Sequence, residues 1–186
     1  MSFSWIDILM ISIIGLGIYY GLRSNFLTEI FRLMGVSLAT CVTLHYYSAL
    51  AKFSKNYPIV PDGFHDIFAF CLLVFTILTI FSLFTEGWQI ILELKFDPLL
   101  NKWGGFAFSL VRTYLLAGLV FLGLLVVGHP TLTKQTKESF SQVVFKNTSI
   151  GLYKSFYFGF LKPFFPNEHI NEDVTNLVEK EKKAWD

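Results

Sequence analysis

Long uncharged stretches alternate with short polar connections through the first two thirds of the chain. The uncharged stretches cover residues 8–22, 33–51, 67–85 and 113–133. An α-helix rises about 1.5 Å per residue, so about 20 residues cross a hydrocarbon core of about 30 Å. The last three stretches meet that length alone, and the first meets it with residues 5–7 at the interface. The pattern predicts an all-α, polytopic membrane protein with four transmembrane helices.

Short breaks set the limits of the predicted helices. Residues 23–25 allow only a tight reversal, so the first two helices should form an antiparallel hairpin. Pro58, Pro61 and Gly63 place the first long loop at 52–66. The predicted helices cover 5–22, 26–51, 64–86 and 103–128. Residues 88–94, which follow Glu86-Gly87, are expected to be an interfacial or bent extension of the third helix.

The last third of the chain predicts a different kind of element. Its apolar residues recur at the spacing of one helical face, which is typical of an amphipathic helix lying in the membrane surface. They are Tyr153, Phe156, Tyr157, Phe160, Leu161 and Phe164, preceded by the shorter cluster Phe140, Val143 and Val144. The chain therefore divides into a transmembrane domain (1–130), an interfacial segment (131–166) and a polar tail (167–186), which is expected to be disordered or a short exposed helix.

Composition agrees with a lipid environment. The 186 residues are 53% hydrophobic and 16% charged, whereas soluble domains carry about 25% charged residues. The net charge of +1 gives no electrostatic reason to expect nucleic acid as a partner. Cys41 and Cys71 both lie in apolar stretches and are expected to remain reduced. Because no Lys or Arg precedes the first stretch, we interpret it as a retained span rather than a signal peptide.

Ionisable and polar side chains within or next to the apolar stretches are the candidate functional residues. They are Asp7, Glu29, Arg32, His45, Glu86 and Arg112. One interpretation leaves them hydrated near helix ends, with Asp7 as an interfacial cap, His45 as an interface histidine and Arg112 reaching the surface by its long stem. The other places Glu29, Arg32 and Arg112 in one polar cluster inside the bundle, because all three lie near the same side of the membrane.

Small residues are candidates for helix packing. Gly17 and Gly21 form a small-xxx-small pair, which lets two helices approach closely in lipid. The alternative is that glycine is simply common in membrane helices. The candidate packing positions are Gly15, Gly17, Gly21, Gly35, Gly104 and Gly105.

Sequence motifs of catalysis and of cofactor binding are absent. The sequence contains no G-x-S-x-G, H-E-x-x-H, P-loop or G-x-G-x-x-G pattern. The two cysteines and four histidines have no metal-ligand spacing. We therefore expect no catalytic residues, no cofactor and no metal.

Two blocks of residues stand out by their order and spacing. The first contains Trp5-Ile6-Asp7-Ile8, Gly15-x-Gly17-x-x-x-Gly21, Thr28-Glu29-Ile30 and Leu33-x-Gly35. The second is Asp97-Pro98-Leu99-Leu100-Asn101-Lys102-Trp103-Gly104-Gly105, followed by Arg112. Over residues 5–130 these blocks resemble the CvpA family, the colicin V production proteins of bacterial inner membranes, with Asp7, Asp97 and Asn101 as motif residues. Pro98 departs from the family's usual arginine, and Ser109 and Thr113 stand where glycine is common.

The resemblance implies a four-span inner-membrane protein associated with making or exporting a peptide toxin and with envelope integrity. Our first hypothesis is accordingly a non-enzymatic membrane component with that role. The second is a small oligomeric channel or transporter that uses Glu29, Arg32 and Arg112, and a membrane enzyme ranks third. The expected partners are the lipid bilayer and either further copies of the chain or other membrane proteins. The positive charges of the loops nearly balance, and the resemblance favours both termini outside.

Overall fold

The protein is built from helices. A computed structural model describes residues 4–56, 60–61, 63–91, 97–127, 135–136, 139–167, 169–171 and 174. The helices are α1 (Trp5–Gly21), α2 (Phe26–Ser54), α3 (His65–Ile91), α4 (Pro98–Val126) and α5 (Phe140–Phe156), followed by a π-helical turn (Tyr157–Leu161) and one further turn (Lys162–Phe164). By length and composition α2, α3 and α4 can each cross a membrane, and α1 is a shorter apolar helix. The predicted all-α, multi-pass membrane architecture is confirmed.

One helix boundary differs from the prediction. The helix α4 begins at Pro98, earlier than the predicted start near Trp103, because the Asp97 carboxylate accepts a hydrogen bond from the Leu99 amide at 2.8 Å. Proline suits the first helical position, where its missing N–H would have no partner. The helix α3 continues through Gly87 to Ile91, while its candidate membrane span covers His65–Gly87, so the described residues after Gly87 extend the third helix as predicted. Residues 92–94 and the predicted stop at 128–130 lie outside the described residues.

The helix α4 is the centre of the bundle. It packs against α1 on one side and α2 on another, and α2 in turn packs extensively against α3. The predicted hairpin of α1 and α2 is therefore splayed, because α4 lies between the two helices that the short connection joins. Such an arrangement requires close contacts at the connection itself.

The helix α3 lies at the edge of the bundle. Only 11% of the most apolar 18-residue stretch of α3 is buried, whereas the corresponding stretches of α2 and α4 are 50% and 56% buried. Phe75 and Leu83 on its outer side are largely exposed. These side chains need an apolar solvent, so α3 presents much of its surface to lipid.

The helix α5 packs against three of the preceding helices, α1, α2 and α4. It begins at Phe140, so the two apolar clusters predicted separately belong to one helix and its π-helical turn. Phe145, Ile150 and Tyr153 are buried against α1, α2 and α4. Further on, Asn171 and Val174 are also buried, so the expectation of a disordered or exposed tail is wrong at these two residues.

Candidate functional site

A buried carboxylate lies between two arginines near the start of α2. Oε2 of Glu29 accepts a hydrogen bond from Nε of Arg112 at 2.8 Å, and Oε1 accepts one from Nη1 of Arg32 at 3.2 Å. Glu29 has no exposed surface, whereas the side chains of Arg112 and Arg32 are 14% and 41% exposed. We call these three residues the Glu29 cluster. The structure thus brings them together, and only Arg32 retains substantial contact with the surroundings.

The Glu29 cluster also contacts the connection between α1 and α2. Nη1 of Arg32 donates to Oγ of Ser24 at 3.1 Å, and that hydroxyl donates to the Tyr20 carbonyl at 3.1 Å. Arg32 therefore links the last turn of α1 to the first turns of α2. Because Arg112 belongs to α4, the cluster joins three helices.

The first turns of α4 contact the same connection. Oδ1 of Asn101 accepts a hydrogen bond from the amide of Phe26 at 3.4 Å, which provides an acceptor at the start of α2. Asn25, which precedes α2, makes no side-chain cap of its own. A Cβ on Gly104 would overlap the Phe26 ring, and one on Gly105 would lie 3.0 Å from the Ser24 carbonyl. These motif residues therefore fit α4 into the α1–α2 connection.

Close approach continues along α1 and α4. A Cβ on Gly17 would overlap the side chain of Thr113, and one on Gly21 would overlap Ser109. Gly35 of α2 packs against α3 in the same way, because a Cβ on it would lie 2.8 Å from the Cβ of Phe81. Gly15 differs, because a Cβ there would meet nothing within 4 Å. Among the described residues Gly15 therefore has no neighbour to pack against, and its role in packing stays a prediction.

At the other end of α1, Asp7 binds two helix starts. Its Oδ2 accepts from the Ser4 amide at 2.8 Å, which caps α1. Its Oδ1 accepts from the amide of Ser141 at 2.8 Å and from the Ser141 hydroxyl at 2.5 Å. Ser141 lies in the first turn of α5, where amide groups lack partners within the helix. Asp7 is thus a buried capping residue shared by α1 and α5, not an interfacial cap of α1 alone.

A second polar network lies between α2 and the C-terminal segment. Nδ1 of His45 is 3.0 Å from the hydroxyl of Tyr153, which also accepts from the amide of Asn171 at 3.0 Å. The Asn171 side chain donates to the carbonyls of Leu44 and His45 at 2.8 and 3.2 Å. His45 is therefore buried, so the expectation of an interface histidine is wrong. Glu86, by contrast, is exposed on α3, and its hydration stays a prediction.

In these contacts, opposite charges neutralise each other or a carboxylate caps the start of a helix. Both oxygens of Glu29 are engaged by arginines, and both oxygens of Asp7 accept amide hydrogen bonds. Within the described part of the chain, no group of three or more His, Cys, Asp or Glu residues could hold a metal ion. Cys41 and Cys71 are free thiols. The geometry therefore favours a structural role for the buried charges.

Comparison with known proteins assigns the chain to a family. Residues 6–150 match the sequence model of a family described as colicin V production protein. The chain belongs to the colicin V production protein family. No curated protein and no solved structure matches it. The matched region goes beyond the resemblance over residues 5–130, and it includes α5 as far as Ile150. The family region thus contains both Asp7 and its partner Ser141.

Three residues of α4, Pro98, Ser109 and Thr113, determine how this helix begins and how it meets α1. Pro98 takes the first position of α4, where no amide hydrogen is needed. Ser109 and Thr113 face Gly21 and Gly17 across the contact of α1 with α4. Glycine on α1 therefore leaves room for the larger residues that this chain carries on α4.

Proposed function

We propose that this protein is a non-enzymatic component of the bacterial inner membrane that supports the production or secretion of a colicin V-like peptide toxin and the homeostasis of the envelope. Membership in the colicin V production protein family supports the role in toxin production. Its long apolar helices support the lipid bilayer as the main partner. Other membrane proteins of the toxin pathway, or further copies of the chain, would contact the exposed surfaces of the bundle.

The observation that carries the structural role of the Glu29 cluster is the burial of Glu29. A carboxylate that takes up and releases protons or ions must reach water in some state of the protein. Glu29 instead has no exposed surface, and each of its oxygens faces an arginine. Removing one partner of such a pair leaves an uncompensated charge, which makes the pair costly to open. The cluster therefore acts as an internal link that holds α2 and α4 together.

Deletion and complementation test this role. In a bacterium that carries a colicin V-like toxin, deletion of the gene for this protein should lower the toxin released into the medium, and wild-type protein should restore it. Glu29→Gln should fail to restore release, because the bundle loosens, whereas Arg32→Gln should restore it, because Arg32 is partly exposed. Toxin activity in the medium and detergent sensitivity of the cells are the measurements. Full toxin release from the deletion strain would contradict the proposed role.

The second candidate is an oligomeric channel or transporter. Its support is the cluster itself, because ionisable residues within transmembrane segments are costly and often line pathways for ions or substrates. Four helices enclose little volume, and α4 already fills the space between α1 and α2. A pathway would therefore have to lie between several copies of the chain.

Liposome flux measurements separate the two candidates. Purified protein in sealed vesicles should leave the permeability to protons, K⁺ and small solutes unchanged, because the Glu29 cluster is satisfied within one chain. Glu29→Gln and Arg112→Gln should leave it unchanged as well. Vesicles without protein and vesicles with a known pore-forming peptide are the controls. A leak in the wild-type protein that either substitution alters would favour the channel and overturn the structural role.

A further inference from the structure

The outer face of α5 and its π-helical turn has a fixed orientation. Bonds at Ser141, at the Val144 carbonyl and at Tyr153 attach the opposite face to α1, α4 and α2. The residues that remain outside include Lys154, Phe158 and Lys162, all of which are exposed. Phe158 is 57% exposed although it is a large apolar side chain. We call these three residues the basic face.

The π-helical turn aligns the basic face. Lys154 and Lys162 are eight residues apart, which in a continuous α-helix exceeds two full turns by roughly 0.8 residue. The π-helical turn at Tyr157–Leu161 accommodates about one extra residue, so it absorbs most of that excess. Nζ of Lys162 accordingly lies 5.5 Å from the centre of the Phe158 ring, one turn back towards Lys154. Both ammonium groups and the exposed ring therefore share one side of the element.

Charge on this segment has a single sign. Between residues 139 and 167 the sequence contains Lys146, Lys154 and Lys162 and no Asp or Glu. Lysine ammonium groups do not remain in hydrocarbon, so we expect the exposed Lys154 and Lys162 to extend to the layer of lipid headgroups. Trp5, a typical interface anchor, starts the helix whose Asp7 binds the first turn of α5. The start of α5 is therefore at the same end of the bundle as that anchor.

We propose that the basic face binds the headgroups of anionic phospholipids, with the Phe158 ring in the adjoining acyl region. The two lysines supply the complementary charge, and the aromatic ring supplies apolar contact at the depth where such rings accumulate. A second copy of the chain is a poor occupant, because a two-fold symmetric contact would place lysines against lysines. The inference does not depend on the role in toxin production.

Site-specific crosslinking tests this proposal. The exposed Ser155, next to the basic face, is changed to a photoreactive residue (Ser155→p-benzoylphenylalanine), and the protein is placed in vesicles of equal phosphatidylcholine and phosphatidylglycerol. Because a basic residue near an anionic surface contributes about fivefold in affinity, phosphatidylglycerol adducts should exceed phosphatidylcholine adducts by about fivefold or more. Mass spectrometry of the adducts gives the ratio.

Two double variants complete the test. Lys154→Gln with Lys162→Gln should bring the adduct ratio close to one. Lys52→Gln with Lys55→Gln removes two exposed charges at the end of α2 and should leave the ratio as in the wild type. Equal adduct yields in the wild type, or the same loss in both double variants, would overturn the proposal. Crosslinks to a second copy of the chain in place of lipid would overturn it as well.

Discussion

Replacing Glu29 with glutamine is expected to lower the free energy of unfolding by about 3 kcal/mol. Breaking a buried ion pair by removal of one partner costs about 3–5 kcal/mol, because the remaining charge is left without compensation. We expect the lower end of that range, since the Arg112 side chain keeps 14% of its surface exposed and can partly relax. Circular dichroism during titration of a mild detergent micelle with sodium dodecyl sulfate measures the change.

Neutralising the partner should recover stability. Glu29→Gln combined with Arg112→Gln should be less destabilised than Glu29→Gln alone, because no unpaired charge remains. A double-mutant cycle should then give a coupling of at least about 1 kcal/mol between the two positions. Arg32→Gln is the matched control, because Arg32 contacts the same carboxylate from a position that is 41% exposed. It should cost less than about 1 kcal/mol. Additive effects of Glu29→Gln and Arg112→Gln would contradict the contact.

The Glu29 cluster could be proposed from the sequence, because the positions of its charged residues in the predicted spans place them near the same side of the membrane. Glu29, Arg32 and Arg112 all lie in the half of their helix that is nearer to one side of the membrane, and this follows from the order of the spans. Their burial did not follow, because exposed and buried positions near a helix end have the same sequence pattern. The burial of these residues depends on the position of α4 between α1 and α2, and the sequence pattern of a single helix does not predict that position.

The polar contacts of α5 could not be predicted for a similar reason. Asp7 precedes an apolar stretch, so the sequence favoured a cap of α1, and its second partner Ser141 is 134 residues away. The His45 network depends on Tyr153 and Asn171, which come from a segment with an amphipathic and then polar pattern. Such a pattern predicts contact with a surface but does not distinguish a lipid surface from a protein one.

The glycines of α1 make the sharpest test of the packing between α1 and α4. Gly15 and Gly17 lie two residues apart in the same helix, yet only a Cβ on Gly17 meets a neighbour, the side chain of Thr113. In both positions alanine is a better helix former than glycine by about 1 kcal/mol. Alanine at Gly15 and alanine at Gly17 should therefore raise helix propensity equally, and the two substitutions differ only in the contact with α4.

Gly17→Ala should destabilise the protein by about 1–3 kcal/mol, because the added methyl forces α1 away from α4 as overpacking does in other cores. Gly15→Ala should be neutral or stabilising by up to about 1 kcal/mol, since its methyl enters open space. Thr113→Ala in the Gly17→Ala background removes the overlapping methyl and should restore part of the loss. The same detergent titration measures all three variants. Equal effects of Gly15→Ala and Gly17→Ala would mean that α1 packs through a different face, because helix propensity alone cannot separate the two positions.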